Sequence, residues 1–288
     1  MKSILLLLIF FSALMALDIE VVSWKIPNGQ TALLEFNETE GLEYKSVVVG
    51  KKSFTIFSKP NNMEQKYVLI PFSYYEKAEN KTLKIKYIQD GTTKIQRLLL
   101  KVINGKYEKE EIHVSSAKVN PKSKEVKQRI SKEYNEAMKI YSNVTQKSYI
   151  SKPFIAPLSS KITSAFGKAR VYNGSLKGYH SGTDYRAAMG TEIVAANDAK
   201  VALVKKRFYS GGTVLLNHGQ GIYTCYFHMS KFNVKEGQMV KQGDILGLSG
   251  KSGRVTGPHL HFSARINAVQ VDPLQLISIL NKNLLTGN

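Results

Sequence analysis

The chain has 288 residues, 43% of them hydrophobic, which is enough apolar material for one large or two ordinary packed domains and too much for a disordered chain. A single cysteine, Cys225, excludes an intramolecular disulfide. A formal net charge of +19 suits an anionic polymer such as nucleic acid, a lipid surface or a carboxylate-bearing wall, and does not by itself choose among them.

The first residues narrow that choice. Lys2, the apolar stretch Ile4–Leu14 and the small residues Ala13 and Ala16 read as a secretory signal over residues 1–17, with Asp18 opening the exported chain. Leu14 departs from the preferred cleavage pattern, and an uncleaved anchor is the alternative. No cysteine follows the stretch, which argues against a lipoprotein anchor, and no later apolar run reaches the ~18 residues that span a bilayer. The expected location is periplasmic or secreted, which disfavours nucleic acid as a partner and leaves no transmembrane segment after signal removal.

Residues 18–117 read as a β-rich domain of about seven short strands, of the kind that pack as a small sandwich. Asp18–Trp24, Ala32–Phe36, Tyr44–Val49 and Tyr67–Pro71 are examples, and Asp90-Gly91 supplies the positive φ angles of a tight hairpin between Leu83–Ile88 and Lys94–Val102. The one histidine of this part, His113, has no partner motif, and the region shows no chemistry of its own. A helical connector is expected over 118–150, capped by Asn120 with Pro121 at its first position. Val126, Ile130, Tyr134, Ala137, Met138 and Tyr141 form its apolar face. Ser148–Pro157 reads as an extended link. From 151 to 288 glycines and histidines concentrate in a mainly antiparallel β pattern, with two short strands around a turn over Val234–Leu248 and a closing helix over Pro273–Leu285.

Three segments of this last region carry chemistry. Gly257-Pro-His-Leu-His-Phe262 places His259 and His261 on one face of a strand, with Leu260 and Phe262 turned to the core. His180-Ser-Gly-Thr-Asp184 adds an imidazole and a carboxylate, with Gly182 expected to let the chain turn so that both converge. Tyr226-Phe-His228 adds a fourth imidazole. Imidazole and carboxylate are good ligands for zinc, and a catalytic zinc takes three protein ligands. Three ligands from five candidates leave two imidazoles free to move protons near neutral pH. His218, in Asn217-His-Gly219, and Cys225 read as structural residues.

With Ile162–Gly167, Asn217–Gly219, Tyr226–Ser230 and Gly237…Asp244 in the same order, the stretch from Ile155 to Pro273 resembles the catalytic domain of the lysostaphin/LytM-type zinc endopeptidases. The whole chain is most similar to the cell-shape-determining peptidases of Gram-negative bacteria, in which a β-rich domain and a helix precede the peptidase. The resemblance implies one zinc per chain held by His180, Asp184 and His261, with His228 and His259 as the catalytic pair. It leaves open which of the two is the general base. It implies hydrolysis of the D-Ala–meso-diaminopimelate cross-links of peptidoglycan in wall remodelling and cell-shape control, with wall-synthesis or scaffold proteins as further partners. The rival readings are a non-catalytic LytM-type activator of other wall hydrolases and a DD-carboxypeptidase acting on single stem peptides. Partial self-inhibition by the N-terminal region, through a strand or loop lying in the peptide groove, is a further expectation.

Overall fold

The computed structural model describes residues 17–113, 119 and 121–285. Residues 1–16 of the expected signal segment 1–17 and the expected helix cap Asn120 lie outside them. The chain is mainly β. Its first nine strands are β1 (Ile19–Val21), β2 (Lys25–Pro27), β3 (Thr31–Phe36), β4 (Leu42–Val49), β5 (Lys52–Thr55), β6 (Phe57–Ser58), β7 (Lys66–Pro71), β8 (Asn80–Gln89) and β9 (Thr92–Ile103). They form a four-stranded sheet in the order β1-β3-β7-β6 and a five-stranded sheet in the order β2-β9-β8-β4-β5. Leu34, Phe36, Val47, Val68, Leu83, Ile85, Leu100 and Val102 fill a shared core. The hairpin β8–β9 turns at Asp90 (φ 52°) and Gly91 (φ 70°), the conformation its two-residue loop demands. Of the expected strand Asp18–Trp24 only Ile19–Val21 pairs as a strand. β1 belongs to the first sheet, and after Trp24 the chain crosses to the second, where β2 runs parallel to β9.

A short strand β10 (Lys109–Ile112) precedes helix α1 (Lys124–Tyr141). Ser123 caps the helix by accepting from the Val126 amide, and Pro121 lies before it. The buried stripe runs through Glu133, Ala137 and Tyr141, so Tyr134, expected on the packed face, is 59% exposed. The stripe rotates because Glu133 is a required partner: its carboxylate accepts from Arg129 and from the Phe208 amide.

The remaining strands are β11 (Ile162–Ser164), β12 (Ala169–Tyr172), β13 (Ser175–Tyr179), β14 (Thr183–Arg186), β15 (Glu192–Val194), β16 (Ala199–Arg207), β17 (Gly211–Gly219), β18 (Ile222–Met229), β19 (Lys231–Phe232), β20 (Met239–Val240), β21 (Ile245–Leu248), β22 (His259–Ile266) and β23 (Val269–Val271). Helix α2 (Pro273–Asn283) follows, capped by Asp272 with Pro273 in its first turn. The main sheet is antiparallel in the order β11-β14-β22-β18-β17-β16-β20, with β23 added to β22. One face packs Leu260, Phe262, Tyr226, Val214, Leu216 and Ile266 against Leu276 and Leu280 of α2. The same cluster takes in Leu33, Phe57, Tyr67 and Leu69 of the first sandwich sheet, so the two halves of the molecule share a core.

Candidate metal centre and proton-transfer pair

The face of the main sheet opposite this core carries the site. Ser164 on β11, Asp184 on β14, His261 on β22 and Phe227 on β18 are successive cross-strand partners, a row that strand pairing puts on one face. Leu260 and Phe262 alternate to the other face and are fully buried, each worth about 1.5–3 kcal/mol of transfer free energy that fixes the strand's register. His180 enters from the turn before β14. Gly182 serves this approach by its lack of a side chain, not by a positive φ: a Cβ there would lie 2.6 Å from His261 Nε2 and collide with the Phe262 carbonyl.

Three donor atoms converge. His180 Nε2 lies 2.9 Å from Asp184 Oδ1 and 3.0 Å from His261 Nδ1, and His261 Nδ1 lies 2.8 Å from Asp184 Oδ1. Among the described residues, these three form the one group of histidine, cysteine and carboxylate side chains disposed to hold a metal ion. His180 Nδ1 donates to the Ala165 carbonyl at 2.7 Å, which turns Nε2 toward Asp184 and His261. Three electron-pair donors gathered this closely around one point are disposed to share a cation. Two imidazole nitrogens and one carboxylate oxygen fit zinc.

The electrostatics agree. Burial works to raise the Asp184 pKa, but hydrogen bonds and charge from His180 and His261 outweigh it and hold the carboxyl well below its ordinary range. Burial pushes His261 down to about 4, against the opposing pull of Asp184. At neutral pH the carboxylate is ionised and the His261 ring neutral, the states a divalent cation requires. Arg170 on β12 donates from Nη2 to the second carboxylate oxygen of Asp184 at 3.2 Å, leaving Oδ1 to the histidines.

His228 and His259 stand beside this cluster with ring centroids 4.8 Å apart. His259 Nδ1 donates to the Gly257 carbonyl and His228 Nδ1 to the Ser252 carbonyl, so each ring presents Nε2. His259 Nε2 lies 3.7 Å from Asp184 Oδ1. Strict alternation along β18 would put His228 on the core side with Tyr226. A register shift in the β17–β18 pairing and a positive φ of 63° turn it instead toward His259 and His261. A positive φ is uncommon outside glycine and is retained where the surroundings over-determine it. Burial first, then the neighbouring His261 and His259, depress the His228 pKa well below the ordinary value, so its ring is neutral at pH 7. Phe227 stacks on the His261 ring at 5.4 Å and 8°, limiting its rotation.

His218 and Cys225 are elsewhere. His218 is fully buried between the Asp198 carbonyl and the Thr224 hydroxyl, and Cys225 is a buried thiol against Tyr141. The motifs did not reveal Arg170 or Glu110. Glu110 Oε2 accepts from Arg170 Nε at 3.1 Å, and Oε1 accepts from the Ser164 hydroxyl at 2.9 Å. Sixty residues separate Glu110 from Arg170, and no spacing pattern links them. A cavity of about 500 Å³ adjoins the cluster, lined by Asp184, Arg170, Pro258 and His259 together with Glu110–His113.

A sheet-borne His–Asp–His cluster with two further imidazoles is the layout of a metallopeptidase. Residues 178–273 match Peptidase family M23, and the chain carries a peptidase M23 domain. Peptidoglycan DD-endopeptidase ShyA of Vibrio cholerae is 37% identical over 122 residues, 41% of this chain and 28% of that protein. DD-carboxypeptidase/endopeptidase Mpg of Neisseria meningitidis is 39% identical over 97 residues, 34% of this chain and 22% of that protein. The matched stretch thus spans less than a third of these curated relatives. A solved peptidase M23 structure from Pseudomonas aeruginosa superposes with a TM-score of 0.66 at 24% identity. It covers 87% of this chain and 94% of that one, a likeness of fold that includes the N-terminal half.

Proposed function

We propose that the protein is an exported zinc peptidase that hydrolyses the D-Ala–meso-diaminopimelate cross-links of peptidoglycan. The observation that carries this reading is the convergence of His180 Nε2, Asp184 Oδ1 and His261 Nδ1 within 3.0 Å of one another, with two Nε2-presenting imidazoles alongside. The names of the M23 relatives support the substrate. His180, Asp184 and His261 would hold the zinc, which when bound supplies Lewis-acid polarisation and a nucleophile at neutral pH.

The chain's own contribution is positional and protonic. The carbonyls of Ala165, Ser252 and Gly257 fix the tautomers of His180, His228 and His259, so no ring must turn or exchange a proton before reaction. His228 and His259 carry the proton tasks of amide hydrolysis: a bare Nε2 accepts the proton of the attacking water, and the imidazolium so formed donates it to the leaving amine. The site lies at the edge of a wide cavity, where an extended peptide can pass across the β22 end of the sheet.

The decisive experiment is to incubate the purified protein with purified peptidoglycan and identify released muropeptides by mass spectrometry. Conversion of cross-linked dimers to monomers, stopped by chelation and restored by zinc, is the expected result. Shortened single stems without loss of dimers would assign a carboxypeptidase, the activity also named for Mpg. No change in any muropeptide, with zinc bound, would leave the activator reading in its place.

A further inference from the structure

We infer that Glu110, on a strand contributed by the N-terminal half, is a positioning residue of the metal centre; the inference rests on the zinc reading above. β10 joins the peptidase as the parallel neighbour of β12, with Glu110 and Arg170 paired in register. From there the Glu110 carboxylate reaches both arms of the cluster. Its Oε2 accepts from Arg170, whose Nη2 donates to Asp184 Oδ2. Its Oε1 accepts from Ser164, whose hydroxyl oxygen lies 3.2 Å from His180 Nδ1.

One carboxylate therefore braces the supports of two of the three donors, and it comes from a part of the chain with no chemical motif of its own. Without it, Arg170 keeps Tyr172 but loses the carboxylate that holds its Nε, and Asp184 Oδ2 faces a less firmly aligned cation. The strand is itself held in place. The Tyr107 ring covers Gly167 so closely that a Cβ there would collide with it, and meets Phe166 edge-on at 6.0 Å. Its hydroxyl donates to the Asn28 carbonyl at 2.6 Å. This segment of the N-terminal half is built into the wall of the site and completes it, in place of merely lying across it.

The test uses the full chain and reads zinc affinity by competition with a chelator, with apo-protein circular dichroism and melting as controls for folding. Glu110→Ala should weaken zinc binding roughly 10–100-fold, the usual effect of removing an outer-shell partner, with the apo melting profile retained. Glu110→Gln keeps the shape and an acceptor oxygen and should lose less, and it carries the test if the alanine variant does not fold. Glu111→Ala, on the same strand and exposed, should bind zinc as the parent does. In an Arg170→Gln background, Glu110→Ala should weaken binding by less than it does in the parent, since two variants in one network are not additive. Parent-like zinc affinity in both Glu110 variants overturns the inference, and raised turnover with unchanged affinity assigns β10 a blocking role instead. A parent chain that takes up no zinc refutes the metal reading itself, a result separate from either.

Discussion

At His228 a backbone conformation that L-residues avoid, φ 63°, coincides with a buried imidazole that faces two others. Such a residue costs roughly 1–2 kcal/mol in backbone energy, and what it gains is a ring turned out of the core and into the site. His228→Ala and His259→Ala should each retain zinc and lower turnover by about 10²–10⁴, the usual worth of general acid–base catalysis. Zinc loss in either would move that residue into the ligand set. His261→Ala and Asp184→Ala should fold as apo-proteins and fail to retain zinc, and stoichiometric metal by elemental analysis in either would refute the ligand assignment. His218 supports a separate prediction because it is remote from the metal. Burial pushes its pKa from 6.5 down to about 4, so the native ring stays neutral while the unfolded chain takes up a proton below pH 6.5. The stability it contributes is complete above pH 6.5 and is lost as pH falls through 4, a total of about 3 kcal/mol. Denaturant titrations at pH 7 and pH 4 should show the parent losing about that much more than His218→Gln, and equal losses would contradict the account.

At the scale of elements, the site depends on how closely two of them approach. The turn carrying His180 passes over β22 at Gly182, where a methyl group would press on His261 Nε2 and the Phe262 carbonyl. Gly182→Ala should destabilise the fold by about 1–3 kcal/mol through overpacking and weaken zinc binding together, since the same contact serves both. A variant that loses stability but binds zinc normally would separate packing from metal geometry. The β17–β18 register shift is the second device. It lies beside Gly211 and Gly212, where a side chain would run into the backbone of Ser252 and Met229, and it re-aims His228 without moving the strand.

Across the whole molecule, the sandwich and the peptidase are not independent bodies. Leu33, Phe57, Tyr67 and Leu69 pack in one cluster with Ile266, Leu276 and Leu280, and Gln275 exchanges hydrogen bonds with the Thr31 backbone. A fragment beginning at Ser151 would expose this apolar face and lose Glu110. It should melt below the full chain and aggregate more readily, and a fragment as stable and as active as the parent would contradict the shared core. Charge acts at the same scale. Residues 152–288 hold 17 Lys and Arg against 6 Asp and Glu, a field that favours carboxylate-bearing stem peptides. Screening beyond ~8–10 Å at ordinary salt confines the effect to encounter, so KM should rise with ionic strength while kcat stays nearly constant.

The sequence by itself determined what is local. Alternation placed His259 and His261 on one face, Asp90-Gly91 set the β8–β9 hairpin, Pro273 opened the closing helix, and the order of the short motifs around His180, Asp184 and His228 carried the family resemblance that singled them out. Those features depend on near neighbours along the chain, and periodicity or turn chemistry records them. The tertiary structure decided what depends on approach across the fold: the rotation of α1 about Glu133 and the crossing of the chain from one sheet to the other after β1. It also decided the outward turn of His228 and the arrival of Glu110 beside Arg170. A strand's register and a side chain's partner sixty residues away are fixed by the surfaces that fold against them, and no pattern in either segment alone encodes that meeting.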